Sequence, residues 1–261
     1  PGNGLCLFFF DSRKEFFPGG PGSALGYAPY TGDMALNTSV SATVNPVQGA
    51  FLGVGFDVKG DFGTTHDSKP GYNILGSDNS AITGCAYNTK AHNTITTRAG
   101  ELSSYKILST TPNLSTYPLS GAPDESYSET GTVDPYTLTP AHTLHQSVTS
   151  RNDIQFTSIK VTLQDNGRRL RVEMKPPGHD MYYPYQIVDL GSGLGARSLP
   201  NDGITQLRAG LAFTTSDSVM NCDIKNISVY GAYSPVEKQV AGLHPGSTAK
   251  YRIILSADGG C

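Results

Sequence analysis

The chain has 261 residues and a net charge of −3, with 16% charged residues and many Gly, Ser, Thr, Asn and Pro. Its 19 basic residues are dispersed, so no basic stripe argues for nucleic acid. Aromatic and β-branched residues occur throughout, against a disordered chain, and no apolar run reaches the length of a membrane span. The length suits a single β domain with a sizeable core.

The chain opens on PGNGLCLFFF, without a signal peptide, and reads like the middle of a domain whose first strands are missing. Residues 5–10 form a continuous apolar run, which predicts a strand buried on both faces. The Pro-Gly-Gly-Pro-Gly sequence at 18–22 excludes helix and strand, and the short SALGYAP segment follows it. Residues 34–48 are polar and interrupted by proline, which predicts a loop with a weak edge strand.

Residues 50–58 (AFLGVGFDV) read as a strand of small and apolar residues that ends on Asp57, with Asp61 four residues on behind a glycine. A carboxylate leaving a strand and a second in the next turn suit a hard cation such as Ca²⁺, which takes several oxygens at about 2.3–2.6 Å. Asp57, the backbone carbonyl of Lys59 and Asp61 would supply three. The plain alternative is a glycine turn with aspartates where turns favour them.

Beyond it, residues 64–93 are polar and glycine-rich. Residues 94–98 and 105–108 read as short strands. Residues 113–151, rich in Ser, Thr and Pro, are either a long surface excursion or a mobile loop. The clearest local pattern follows: Ile159, Val161 and Leu163, then Asp165-Asn166-Gly167, then Leu170, Val172 and Met174, alternating with polar and charged residues. This predicts a hairpin with an Asn-Gly turn, apolar on one face. Further strands are expected at 185–190, at 207–213 and at 224–230, the last with Asn226 out of phase at a bulge. After Gly231 the composition shifts to a linker and one more strand. Many short antiparallel strands with glycine turns predict an all-β chain built as a two-sheet β-sandwich.

The four cysteines, Cys6, Cys85, Cys222 and Cys261, lack C-x-x-C spacing, so a zinc or thioredoxin-type site is not indicated. Two disulfides are permitted, or Cys6 and Cys222 are plain core residues. Sequons stand at Asn37, Asn113 and Asn226, meaningful only in a glycosylating compartment. His142 and His145 lie in a proline-flanked loop, better suited to a surface than to a metal. Tyr182, Tyr183 and Tyr185 suit either a sugar-stacking platform or packing at a sheet edge.

Taken in order, GNGLCLFFF (2–10), GGPGSALGYAP (19–29), FLGVGFDVKGDF (51–62), the hairpin, LRAGLAFTTSD (207–217) and IKNISVYG (224–231) resemble the L-type (legume-type) lectin domain. The likeness is nearest to modules of bacterial adhesins and of phage or large-virus surface proteins. It implies a concanavalin A-like β-sandwich of jelly-roll type over residues 1–231, with 109–152 as a long insertion. Residues 232–261 are then a linker plus an extra strand, or the start of another domain.

The resemblance also implies a site. The family's sugar-binding Ala-Asp-Gly turn corresponds to Gly2-Asn3-Gly4, where Asn3 accepts sugar hydroxyls without the charge of an aspartate. The glycine loop, with a backbone N–H near Gly20, Asp61, and Thr215 in the late loop 214–217 would complete the carbohydrate contacts. Asp57, Lys59 and Asp61 fit the family's Ca²⁺ pattern, with Asp67 beside His66 as the nearest further acidic ligand. Gly55 stands where plant members carry a metal-binding glutamate, which implies loss of the transition-metal site. The expected function is non-catalytic binding of glycans or glycoproteins, with Ca²⁺ either retained or lost, in a multivalent assembly at an extracellular, cell or virion surface. The alternatives are a structural surface component with the sugar site lost, or a sandwich glycosidase. The glycosidase needs two carboxylates about 5–5.5 Å apart for retention, and the 51–62 strand has no glutamate.

Overall fold

A computed structural model describes residues 3–33, 41–64, 92–116, 139–146, 150–190, 202–214, 221–230 and 249–258. The fold is all-β, with antiparallel sheets. β1 (Gly4–Asp11), β4 (Ala50–Asp57), β5 (Thr94–Ala99), β6 (Ile107–Thr110) and β10 (Leu207–Thr214) make one sheet in the order β10-β1-β4-β5-β6. β7 (Thr157–Gln164), β8 (Arg169–Lys175), β9 (Tyr183–Asp189), β11 (Asn221–Tyr230) and β12 (Ala249–Asp258) make a second, in the order β11-β12-β7-β8-β9. β2 (Tyr30–Asp33) and β3 (Ser41–Val44) pair separately.

β1 is buried along its whole length, as a strand of the type LCLFFF must be. Its alternate residues divide between two apolar clusters. Leu5, Leu7 and Phe9 join Val54, Phe56 and Ile95 in a cluster that also holds Ile159, Val161, Leu163, Leu170, Val172 and Met174 of the second sheet. Cys6, Phe8 and Phe10 pack on the opposite face with Leu25, Tyr27, Val47, Phe62 and Tyr105.

Glycines make room for that second cluster. A Cβ on Gly53 would lie 2.7 Å from the Tyr27 ring, on Gly55 2.3 Å from the Phe62 ring, and on Gly210 2.3 Å from the Phe8 ring. The small residues of the 51–55 strand are therefore sockets for aromatic rings. Gly55→Val is expected to destabilise by about 1–3 kcal/mol through overpacking, read as a lower urea midpoint with an unchanged m-value.

The hairpin forms in the expected register, Ile159 opposite Met174, Val161 opposite Val172 and Leu163 opposite Leu170. Its connection is longer than an Asn-Gly two-residue turn: a one-turn 3-10 helix at Asp165–Gly167 precedes Arg168, with positive φ at Asp165 and Gly167. β6 starts two residues later than the sequence suggests, because Ser104 and Tyr105 both take left-handed φ after the 3-10 turn Glu101–Ser103. The bulge expected in β11 is present: the register shifts between Lys225 and Ser228, and Asn226 has φ 53°. Ala249–Asp258 pairs with both β11 and β7. Cys6 is a free thiol and fully buried.

Candidate site at one end of the first sheet

Three strand ends coincide here. Gly4 at the start of β1 pairs with Asp57 at the end of β4 and with Thr214 at the end of β10. Only glycine suits position 4, where φ is +141° and a Cβ would fall 2.2 Å from the Phe56 carbonyl oxygen. The preceding residue, Asn3, is 1% exposed. Its N–H donates to the Thr214 carbonyl at 3.2 Å, and its own carbonyl accepts from Val58 at 2.9 Å and Lys59 at 3.3 Å. Its side-chain Oδ1 is buried and has no hydrogen-bond partner among the described residues.

The glycine loop docks on the same end. The Thr214 hydroxyl donates to the Gly22 carbonyl at 2.8 Å, and a Cβ on Gly26 would lie 2.5 Å from the Ala212 Cβ. Inside the loop, the Gly19 N–H donates to Gly26 (2.8 Å) and the Gly20 N–H to Ala28 (2.9 Å). A sugar contact through the Gly20 amide would therefore have to displace the Ala28 bond.

Residues 57–64 fold over the end of β4. Asp57 is fully buried and accepts three backbone N–H groups: Gly60 on Oδ1 at 2.8 Å, Phe62 and Gly63 on Oδ2 at 2.6 and 3.2 Å. Burial pushes its carboxyl up to about 7, against the pull of those three amides, and the neighbouring Asp61 charge pushes it the same way as burial. Gly60 makes the reversal at φ +88°. Asp61 is 4% exposed, with the Lys59 ammonium 3.8 Å from its Oδ2.

The residue that completes this loop is absent from any sequence motif. Arg98, on β5 opposite Gly53, is fully buried. It donates from Nε to the Phe62 carbonyl (2.9 Å), from one terminal nitrogen to Tyr105 (2.8 Å) and from the other to Thr64 (2.6 Å). Its guanidinium carbon lies 5.1 Å from the Phe62 ring centroid. Asp57 thus gathers the amides of the loop and Arg98 its carbonyls. The signal in the sequence was a lone charge in TITTRA, a strand that otherwise carries none.

Of the residues expected to contact sugar, Asn3, Gly20 and Asp61 lie at this end, while Thr215 lies outside the described residues, as does the expected ligand Asp67. Both Asp57 oxygens are engaged by amides, the Lys59 ammonium lies at Asp61, and among the described residues no three His, Cys, Asp or Glu side chains gather. Gly55 leaves no space for a glutamate, since Phe62 and Leu25 fill the position above it.

The other candidates are dispersed. Tyr185 is a core residue whose hydroxyl donates to the Pro140 carbonyl, Tyr183 packs against the same cluster, and Tyr182 lies under the Lys160 ammonium, so they present no common stacking face. The His142 ring meets the Thr157 hydroxyl at 3.1 Å and the Tyr185 ring edge-on. Burial, with the His179 charge second, lowers the His142 pKa from 6.5 to about 4. The unfolded chain then takes up this proton first as pH falls, so the stability contribution is intact above 6.5 and lost on descent through 4. For this half-buried ring the expected loss is about 1–2 kcal/mol, read by urea unfolding as the stability difference between wild type and His142→Gln, which falls as pH drops from 6.5 to 4.

No protein-family model, curated protein sequence or solved structure matches the chain. Among the described residues, no helix is long and apolar enough to cross a membrane.

Proposed function

We propose that this chain is a non-catalytic carbohydrate-binding module with a concanavalin-like β-sandwich, presented in many copies at a cell or virion surface. The observation that carries the reading is the convergence at one sheet end of four segments far apart in sequence: Asn3, the glycine loop, the 57–64 loop and the end of β10. These are the segments that the lectin resemblance assigns to the sugar. The Asn3 Oδ1, buried and without a partner among the described residues, is an acceptor for one sugar hydroxyl. The Asp61 carboxylate in the 57–64 loop would take a second. A shallow site of this kind binds weakly as a single copy and gains about 10²–10⁴-fold from multivalent display.

The test is a glycan array probed with the chain displayed on a multivalent scaffold. Binding to a defined glycan class is expected, with loss in Asn3→Ala and Asp61→Ala variants that keep the wild-type far-UV circular dichroism. Silence across the array for the multivalent form would end this reading. It would leave the second one, a structural surface component that keeps the fold without a sugar site. That alternative is favoured by the burial of Asn3 and Asp61 and by the internal use of the Gly20 amide.

A further inference from the structure

The 57–64 loop holds two acidic side chains, Asp57 and Asp61, and is met by two cationic ones, Arg98 and Lys59. In a calcium loop the ion itself draws carboxylates and backbone carbonyls together. Here those tasks are divided among groups of the chain. Asp57 is held by three amides of its own loop, which fix the chain path from Gly60 to Gly63. The carbonyls of Phe62 and Thr64, which a metal would otherwise attract, point at the guanidinium of Arg98. The same guanidinium ties the loop to the Tyr105 carbonyl and so to the turn before β6. Asp61 has the Lys59 ammonium at 3.8 Å.

We propose that this loop carries its own cations, the Arg98 guanidinium and the Lys59 ammonium, and that the site is built without a metal ion, with Arg98 as its positioning residue. Charge balance favours this. A divalent ion would add two positive charges beside a buried guanidinium, with no further group of acidic ligands gathered among the described residues to offset them. Geometry favours it too. Arg98 presents a rigid planar fork, and its donors reach three carbonyls from three points of the chain. A lysine ammonium is a point charge and could not hold the same three directions. The inference rests on the lectin-like reading only in taking this loop as the floor of a sugar site.

Two measurements test it, neither involving a sugar, so its failure and the failure of glycan binding are separate results. In the first, the wild-type chain is melted in EDTA and in excess Ca²⁺. The melting temperature is expected to be the same in both. A bound Ca²⁺ at a hundredfold excess over its Kd would raise it by about 5–10 °C, and a rise of that size overturns the proposal. In the second, Arg98→Lys keeps the charge and removes the fork. Amide exchange at Gly60, Phe62 and Gly63 is expected to accelerate about tenfold or more relative to the β7–β8 hairpin amides. Unchanged relative protection of those three amides would remove Arg98 from its positioning role.

Discussion

Arg98→Met is expected to lower the unfolding free energy by about 3–5 kcal/mol, among the largest effects of any single substitution in this fold. Methionine nearly preserves the apolar stem and its contact with the Phe62 ring, so little of the loss comes from a cavity. The loss comes from three buried carbonyls, those of Phe62, Thr64 and Tyr105, deprived of charged donors at 2.6–2.9 Å. Each orphaned acceptor costs about 1–3 kcal/mol, and partial relaxation keeps the sum below their simple total. The measurement is urea unfolding, with a lower midpoint at constant m-value. A loss below about 1 kcal/mol would mean that water reaches these carbonyls and that the guanidinium is not what holds them.

The same residue shows where the sequence stops being legible. β1 and the β7–β8 hairpin could be read directly, because a pattern of burial is local: LCLFFF has no polar face, and Ile159, Val161 and Leu163 alternate with polar neighbours. The glycines of the 51–55 strand were read as a family feature, yet their cause is distant. Tyr27 and Phe62 need space above Gly53 and Gly55, and neither ring is near them in sequence apart from the turn that returns Phe62. Arg98 ends the short strand expected at 94–98, and a sequence does not say which carbonyls will fold over such a side chain. The late start of β6 has the same origin. Its delay depends on two left-handed residues, Ser104 and Tyr105, and on Tyr105 reaching the Val47 carbonyl across the second cluster.

The site was legible as a set of segments and not as chemistry. Order along the chain placed the Asn3 turn, the glycine loop and the Asp57 loop in one group, and they share one sheet end. What the order could not convey is how each polar group is already used. The aspartate pattern that suggested a Ca²⁺ ligand set is equally a pattern for capping a glycine-rich turn. Three backbone amides face the Asp57 oxygens, the contacts that such a cap requires.

Asp57→Asn brings that choice to a measurement. The asparagine must turn its Nδ2 either toward the Gly60 amide or toward the Phe62 and Gly63 amides, placing donor against donor. A cost of about 2–4 kcal/mol is expected at pH 4. Its pH dependence carries more information. Burial raises the carboxyl from 3.8 to about 7, so the folded chain binds a proton that the unfolded chain releases. The resulting stability is fully present below 3.8 and lost as pH rises through about 7, with a limiting slope of about 1.4 kcal/mol per pH unit. His142 pulls oppositely between pH 4 and 6.5, so the wild-type profile alone mixes the two titrations there. The difference between wild type and Asp57→Asn cancels the histidine. That difference should shrink as pH climbs from 4 to 7. If it grows instead, the three amides outweigh burial, and Asp57 holds the loop as a carboxylate.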